Sequence, residues 1–384
     1  MIYLDNAATT WPKPESVYQA VDDCLRSMGA NPGRGGHSMA RQASLLLYEA
    51  REGLAELFGI EDPNQIVFTH NATDAVCMSI FGLISPGDRI VTTAMEHNAV
   101  ARAVRFVEAK GVHVTVVPCF KDGQLDMAAM QAAISNRPKA VIMSHASNVT
   151  GTIMPVAEVG AMTRRLGVAL VVDAAQTAGV EAIDVAEMGI DILAFSGHKG
   201  LLGPQGTGGL YVAETMALTP LRVGGTGSLS ESDNQPEFMP DRLESGTPNT
   251  PGIAGLQAGV RFILVTGRKN IQARESELTQ LLLAGLRDIM NVHIYGPASN
   301  AGRTAVVSFT LEGIDSGLVA HMLDREYGIA CRAGLHCAPW AHQTLGTLKT
   351  GTVRFSPGYF NTQGEIEQAI AAVRELAMQG GSGK

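Results

Sequence analysis

Ala169-Leu170-Val171-Val172-Asp173-Ala174-Ala175-Gln176 and, one short crossover later, Ile192-Leu193-Ala194-Phe195-Ser196-Gly197-His198-Lys199 decide how this chain folds. Each is a continuous apolar run ending in polar groups, the pattern of a strand buried on both faces whose C-terminal end opens on a ligand-binding edge. Similar runs lie at residues 66–69, 90–93, 114–117, 140–143 and 209–212, mostly separated by helical stretches. They predict an α/β fold with a mainly parallel seven-stranded sheet covered by helices.

Upstream, Val17, Ala20, Val21, Cys24, Leu25 and Met28 recur at helical spacing after Pro14, and a second helix spans residues 38–58, closed by Gly59. Downstream, helices are expected near residues 253–264 and 271–290. The texture then changes to strand, helix, strand, strand, helix at residues 305–311, 318–327, 329–332, 353–356 and 366–378, a smaller α+β domain. The expected division is a large domain over 14–264, a small domain over 265–379 with segment 1–13 beside it, and a flexible tail at 380–384. Residues 228–240, polar and weakly periodic, read as a mobile surface loop.

At 384 residues the chain is long enough for two cores, and 45% hydrophobic residues fits a soluble enzyme. No apolar run approaches the length of a membrane span and the N-terminus lacks a signal pattern, so the expectation is a cytoplasmic protein without a membrane partner. A net charge of -8 with scattered basic residues argues against nucleic acid. The five cysteines (Cys24, Cys77, Cys119, Cys331 and Cys337) are odd in number and without a C-x-x-C pair, which excludes a disulfide framework or zinc ribbon; no metal site is expected. Cys24, Cys77 and Cys119 fall in apolar segments and read as small buried hydrophobes.

The neighbouring strand ends bring an amine, Lys199, near a carboxylate, Asp173. That pairing suits pyridoxal phosphate: the amine forms a Schiff base with the cofactor aldehyde, while the carboxylate keeps the pyridine nitrogen protonated. Lys199 lies in the glycine-rich apolar run Ser196-Gly197-His198-Lys199-Gly200-Leu201-Leu202-Gly203-Pro204, a setting that desolvates the amine. Other strand ends offer matching groups. Asn71-Ala72-Thr73-Asp74 opens a helix whose amides and Thr73 hydroxyl can cradle a phosphate, although the same residues also make a plain helix cap. Ser196 and His198 can donate to that phosphate, His97 can stack on the pyridine ring, and Asn148 and Gln176 can reach the phenolic oxygen.

Four stretches then converge: Tyr3-Leu4-Asp5-Asn6-Ala7-Ala8-Thr9-Thr10, Ser196-Gly197-His198-Lys199, Glu244-Ser245-Gly246-Thr247-Pro248-Asn249 and Arg332-Ala333-Gly334-Leu335-His336-Cys337-Ala338. In order and spacing, from residue 2 to about residue 376, the chain resembles the cysteine desulfurase and selenocysteine lyase family of class V, fold-type I pyridoxal phosphate enzymes. The resemblance implies a homodimer with active sites at the subunit interface. It makes Lys199 the Schiff-base lysine, Asp173 the partner of the pyridine nitrogen and His97 the stacking residue. Ala72, Thr73, Ser196 and His198 would bind phosphate, joined by Thr247 from the partner chain, with Asn148 and Gln176 near the phenolic oxygen. Arg354 matches the substrate-carboxylate arginine, and Arg332 and Arg34 match further active-site arginines, Arg34 reaching across the dimer. Asn148 also belongs to the expected substrate site.

By the same resemblance Cys337 is the nucleophile that takes sulfur from L-cysteine as a persulfide, yielding L-alanine and passing sulfur to an acceptor protein. Positive charge from His336 and Arg332 would favour its thiolate. His97 would help manage protons. Two departures touch sulfur delivery: Leu335 stands where iron-sulfur-assembly members often carry a second histidine, and the loop at 228–241 is shorter than the corresponding hairpin. A selenocysteine lyase acting on L-selenocysteine, or a class V aminotransferase acting on another small amino acid, would share Lys199 and Asp173. A non-enzymatic cofactor-binding regulator would need a DNA-binding domain, for which no segment remains.

Overall fold

The computed structural model describes residues 1–33 and 35–381; Arg34 and the last part of the expected tail lie outside them. The chain begins with strand β1 (Ile2–Tyr3), followed by helices α1 (Glu15–Ser27) and α2 (Ser38–Phe58). The second ends at Gly59, which takes a left-handed φ of 65° that lets its amide close on Ala55. The sheet-forming part then runs β2 (Ile66–Thr69), α3 (Ala72–Leu83), β3 (Arg89–Thr93), α4 (Asn98–Glu108), β4 (His113–Val117), α5 (Met127–Ser135), β5 (Ala140–Ser144), α6 (Val156–Leu166), β6 (Ala169–Asp173), β7 (Ile192–Ser196) and β8 (Gly208–Val212).

These seven strands pair in the order β2-β8-β7-β6-β5-β3-β4. Only β8 runs against its neighbours, so the C-terminal ends of β2, β3, β5, β6 and β7 share one edge. Every residue of β5, β6, β7 and β8 is buried, which is why their sequences are continuous apolar runs rather than alternations. Register places Ser144 beside Asp173, and Asp173 beside Ala194 two residues before Ser196. The carboxylate and the lysine turn therefore leave adjacent strands at nearly one level.

Residues 213–249 carry no helix or strand. The segment at 228–240, expected as a mobile loop, is tied to the residues that follow it by Ser228 to Asp241 and by Gln235 Nε2 to the Asp241 carbonyl and the Ser245 hydroxyl. Helix α7 (Thr250–Thr266) packs on α1 and α2, and α8 (Arg268–Arg287) follows at once. Beyond it come β9 (Val292–Tyr295), β10 (Val307–Leu311), α9 (Ser316–Tyr327), β11 (Ile329–Ala330), β12 (Arg332–Gly334), α10 (Pro339–Leu345), β13 (Thr352–Phe355) and α11 (Gln363–Gly381). Strands β12-β13-β10-β9 form an antiparallel sheet with its own core, in which Leu282, Phe309, Val319, Val353 and Val373 are fully buried. Strand β1 pairs with β11, and Leu4 enters this same core. Among the described residues no helix is long and apolar enough to cross a membrane.

Candidate active site

A cavity of about 220 Å³ opens at the shared edge of strand ends. Ala72, Thr73, His97, Asn148, Asp173, Gln176, Ser196, His198, Lys199, Arg332 and Arg354 all line it, so the structure brings together most of the residues singled out from sequence. Thr247 does not line it in the same chain; it lies in a separate depression, where its hydroxyl accepts from Asn31 Nδ2 at 3.2 Å. Arg34 lies outside the described residues.

Each side chain is held for a local reason. Asn71 caps α3 by accepting from the Asp74 amide at 2.9 Å, which leaves the first-turn amides of Ala72 and Thr73 pointing at the cavity without helical acceptors. Ser196 and His198 reach the same corner from the end of β7, and buried His198 Nδ1 has no partner. Free amides, two hydroxyls, an unpartnered imidazole nitrogen and a helix dipole suit a dianionic phosphate. Asn148, whose Nδ2 donates to the His336 carbonyl at 2.6 Å, keeps a buried Oδ1 without a partner.

Asp173 is buried at the end of β6, where its Oδ1 accepts from the Ala175 amide at 2.9 Å. Burial raises its pKa, opposed by that hydrogen bond and by Lys199. Burial also pushes the Lys199 amine down to about 8; Asp173 pulls upward, while Arg354 and Arg332 push further down. Near neutral pH Lys199 therefore keeps a minor uncharged fraction, far larger than that of an ordinary lysine, and the uncharged amine is the form that can add to an aldehyde or accept a proton. Its carbonyl accepts from the Thr10 hydroxyl at 2.7 Å, which pins the turn.

His97 caps α4, its Nδ1 accepting from the Ala99 amide at 3.1 Å. Burial lowers its pKa to about 4, with help from the charges of Lys199, Arg332 and Arg354. The ring is thus neutral, with hydrogen on Nε2, and only that nitrogen remains for proton work. Arg354 is fully buried on β13. Its Nη2 pairs with Asp5 at 2.8 Å and its Nη1 donates to the Asn148 carbonyl at 3.1 Å, whereas Nε has no partner. An unpaired donor on a buried cation is a place for a carboxylate oxygen.

Cys337 is exposed and is not among the residues that line the cavity, but Arg332, which does line it, donates from Nη2 to its Sγ at 3.0 Å. The expected second cation is not there. His336 is buried, its Nε2 lies 3.1 Å from the Thr352 carbonyl, and burial together with Arg354 drives its pKa down to about 2, so of the two expected cations Arg332 alone brings positive charge to the sulfur. Both residues have left-handed backbone, φ 49° for His336 and φ 60° for Cys337, which costs about 1 kcal/mol or more apiece. The Asn98 amide, donating to the Cys337 carbonyl at 2.7 Å, helps hold the turn.

Four participants were missed in the sequence reading. Asp5, which orients Arg354, lies inside the quoted N-terminal motif but 349 residues from its partner. Glu96 is buried between Thr93 and Ser144, with its pKa raised to about 7 by burial, and sits next to His97 in sequence. Buried His145 pairs through Nδ1 with the Thr177 hydroxyl at 3.0 Å. Lys13 Nζ donates to the His198 carbonyl at 2.9 Å. Among the described residues no cluster of three or more His, Cys, Asp or Glu side chains could hold a metal ion.

Comparison with known proteins extends along the whole chain. It is 35% identical over 385 aligned residues to a probable cysteine desulfurase of Methanothermobacter thermautotrophicus, covering 99% of this chain and 95% of the relative. It is 33% identical to a cysteine desulfurase of Pectobacterium carotovorum, covering 98% and 93%. A solved cysteine desulfurase structure from Thermococcus onnurineus superimposes with a TM-score of 0.93 at 34% identity, covering 98% of this chain and 95% of that one. The profile described as aminotransferase class-V matches residues 2–369, and the chain belongs to the class V aminotransferase family.

Proposed function

We propose that the protein is a pyridoxal-phosphate-dependent cysteine desulfurase that converts L-cysteine to L-alanine and carries the removed sulfur on Cys337. The observation that carries this reading is the Cys337 sulfur held 3.0 Å from Arg332 Nη2, with Arg332 itself lining the cavity that contains Lys199, Asp173 and Arg354. Relatives named cysteine desulfurases, similar over nearly the full length, support the same reading. When bound, pyridoxal phosphate supplies an aldehyde for exchange between amines and a protonated ring that withdraws electrons from the substrate Cα. Ala72, Thr73, Ser196 and His198 would hold its phosphate, Asp173 its ring nitrogen, His97 one ring face, and Asn148 and Gln176 its phenolic oxygen.

The chain's own residues divide the remaining work. Arg354 binds the substrate carboxylate through its unpaired Nε while Asp5 and the Asn148 carbonyl fix the rest of the fork. Lys199, whose lowered pKa makes its neutral form accessible, removes the Cα proton. Cys337 attacks the substrate sulfur as a thiolate; the new S–S bond forms as the C–S bond breaks. The C–S electron pair stays with the carbon skeleton, which takes up protons and leaves as alanine. Attack by an acceptor thiol on the Cys337 persulfide then resets the enzyme.

The proposed assembly is a cytoplasmic homodimer in which Thr247 and Arg34 serve the neighbouring subunit's site. Its support is a set of exposed apolar side chains on α1 and α2, namely Tyr18, Leu25, Met39, Leu45 and Tyr48, together with the placement of Thr247 in a depression other than its own chain's Lys199 cavity. Incubation of cofactor-loaded protein with L-cysteine and a reductant should release alanine and sulfide in equal amounts. Absence of alanine would refute the reading. A Cys337→Ala variant that keeps turnover on L-selenocysteine while losing it on L-cysteine would leave selenocysteine as the competing substrate.

A further inference from the structure

The turn that presents Cys337 is backed by two imidazoles, only one of which belongs to the recognised motif. His336 and His342, the latter on α10, are 2% and 0% exposed, with ring centroids 5.6 Å apart and planes tilted by 40°. His336 Nε2 lies 3.0 Å from the Thr352 hydroxyl, which can donate or accept, and 3.1 Å from the Thr352 carbonyl, which can only accept; the carbonyl favours the hydrogen on Nε2 and a lone pair on Nδ1. His342 Nδ1 lies 2.8 Å from the Thr347 hydroxyl. His336 Nδ1 and His342 Nε2 are both buried and without a hydrogen-bond partner. Two such atoms on adjacent rings call for an explanation, because an interior nitrogen left unpaired is costly.

We propose that His342 is a positioning residue for Cys337: a small closing movement of the two rings from the separation seen here lets its Nε2–H satisfy His336 Nδ1, and the pair latches the left-handed His336-Cys337 turn. The Thr347 hydroxyl then donates to His342 Nδ1, fixing the tautomer that places hydrogen on Nε2. Burial keeps both rings neutral, with pKa values lowered to about 2 for His336 and about 4 for His342, and Arg354 and Arg332 reinforce this at His336. The latch extends to both walls of the site. The His336 carbonyl accepts from Asn148 Nδ2 at 2.6 Å, the Cys337 carbonyl from the Asn98 amide at 2.7 Å, and the His342 amide donates to the Ala338 carbonyl at 3.2 Å. His342 does not itself line the cavity, and its ring packs on His336, so it acts through His336.

The proposal deepens the desulfurase reading and rests on it. Its test compares a step that needs Cys337 with one that does not: alanine and sulfide release from L-cysteine, and exchange of the Cα hydrogen of L-alanine with deuterated water. In His342→Phe, which keeps a buried ring but no nitrogen, sulfide release should fall at least tenfold with KM for L-cysteine and Cα exchange within twofold of the parent. His342→Gln, which restores an amide donor, should recover to within threefold. Site-resolved alkylation of Cys337 by iodoacetamide in the purified protein should quicken at least threefold in His342→Phe as the turn loosens. Should that variant fail to fold, Thr347→Val removes only the hydroxyl that sets the tautomer and should show the same split at two- to fivefold. Equal losses in both activities, or unchanged sulfide release and alkylation, would overturn the latch. If the parent itself makes no alanine, the functional reading falls, while the alkylation comparison still decides the latch.

Discussion

Lys199 shares its cavity with one carboxylate and two guanidinium groups, and that imbalance has a measurable consequence. Its pKa, lowered from 10.5 to about 8, means the neutral amine is the minority below that pH and the majority above it. The rate at which cofactor-free protein takes up pyridoxal phosphate, read by borohydride labelling of Lys199, should therefore fall about tenfold per pH unit below about 8 and level off above it. An unshifted lysine would keep rising toward pH 10. Asp5 offers a second test at this scale. It orients the Arg354 fork through one bond of 2.8 Å, so Asp5→Asn should raise KM for L-cysteine about tenfold, the equivalent of roughly 1.4 kcal/mol, while kcat changes little. A loss confined to kcat would mean that Asp5 acts on the chemistry rather than on carboxylate binding. Residue types alone pointed to Lys199 and Asp173, because an amine and a carboxylate at neighbouring strand ends have few shared uses. They could not point to Asp5, since nothing local ties it to an arginine on β13.

Strand β8 is where element geometry sets site geometry. Gly208 lies opposite Ser196, and a Cβ built on it would stand 2.7 Å from the Asn71 carbonyl carbon and 2.8 Å from its Cα. Both are backbone atoms, so α3 itself would have to move, and with it the Ala72 and Thr73 amides. Gly208→Ala should cost about 1–3 kcal/mol in urea unfolding and weaken pyridoxal phosphate binding about tenfold, seen as a raised Kd in titration. A stability loss with unchanged Kd would show that α3 is free to shift without disturbing the phosphate corner. The parallel strands β5, β6 and β7 were legible because full burial writes itself as an unbroken apolar run. Strand β9 was not: its side chains are only partly buried and His293 is exposed, so Val292–Tyr295 lacks the apolar signal. Helix α10 escaped for another reason. At seven residues, begun by a proline and closed by Gly346, it is too short to show a helical period.

At the scale of the whole molecule, Thr247 is the residue that decides whether one chain makes a complete site. It sits in its own depression, apart from the cavity that Lys199 lines, and in the proposed dimer it completes the neighbour's phosphate corner. Two inactive proteins can test this. Lys199→Ala lacks the amine, and Thr247→Ala, assayed at limiting cofactor, lacks one phosphate donor. In a hybrid dimer with crossed contribution, one site carries both lesions and the other carries neither, because the intact Lys199 meets the intact Thr247 of the Lys199→Ala subunit. Random mixing makes half the dimers hybrids, each with one good site of two, so about one quarter of parental activity should return after subunit exchange. Were Thr247 to serve its own chain, every site in the hybrid would keep one lesion and mixing would restore nothing. The sequence motif around Thr247 pointed to cofactor binding, but only the fold separates it from the lysine within one chain, and that separation is what makes the second subunit a chemical requirement in this reading rather than a packing partner.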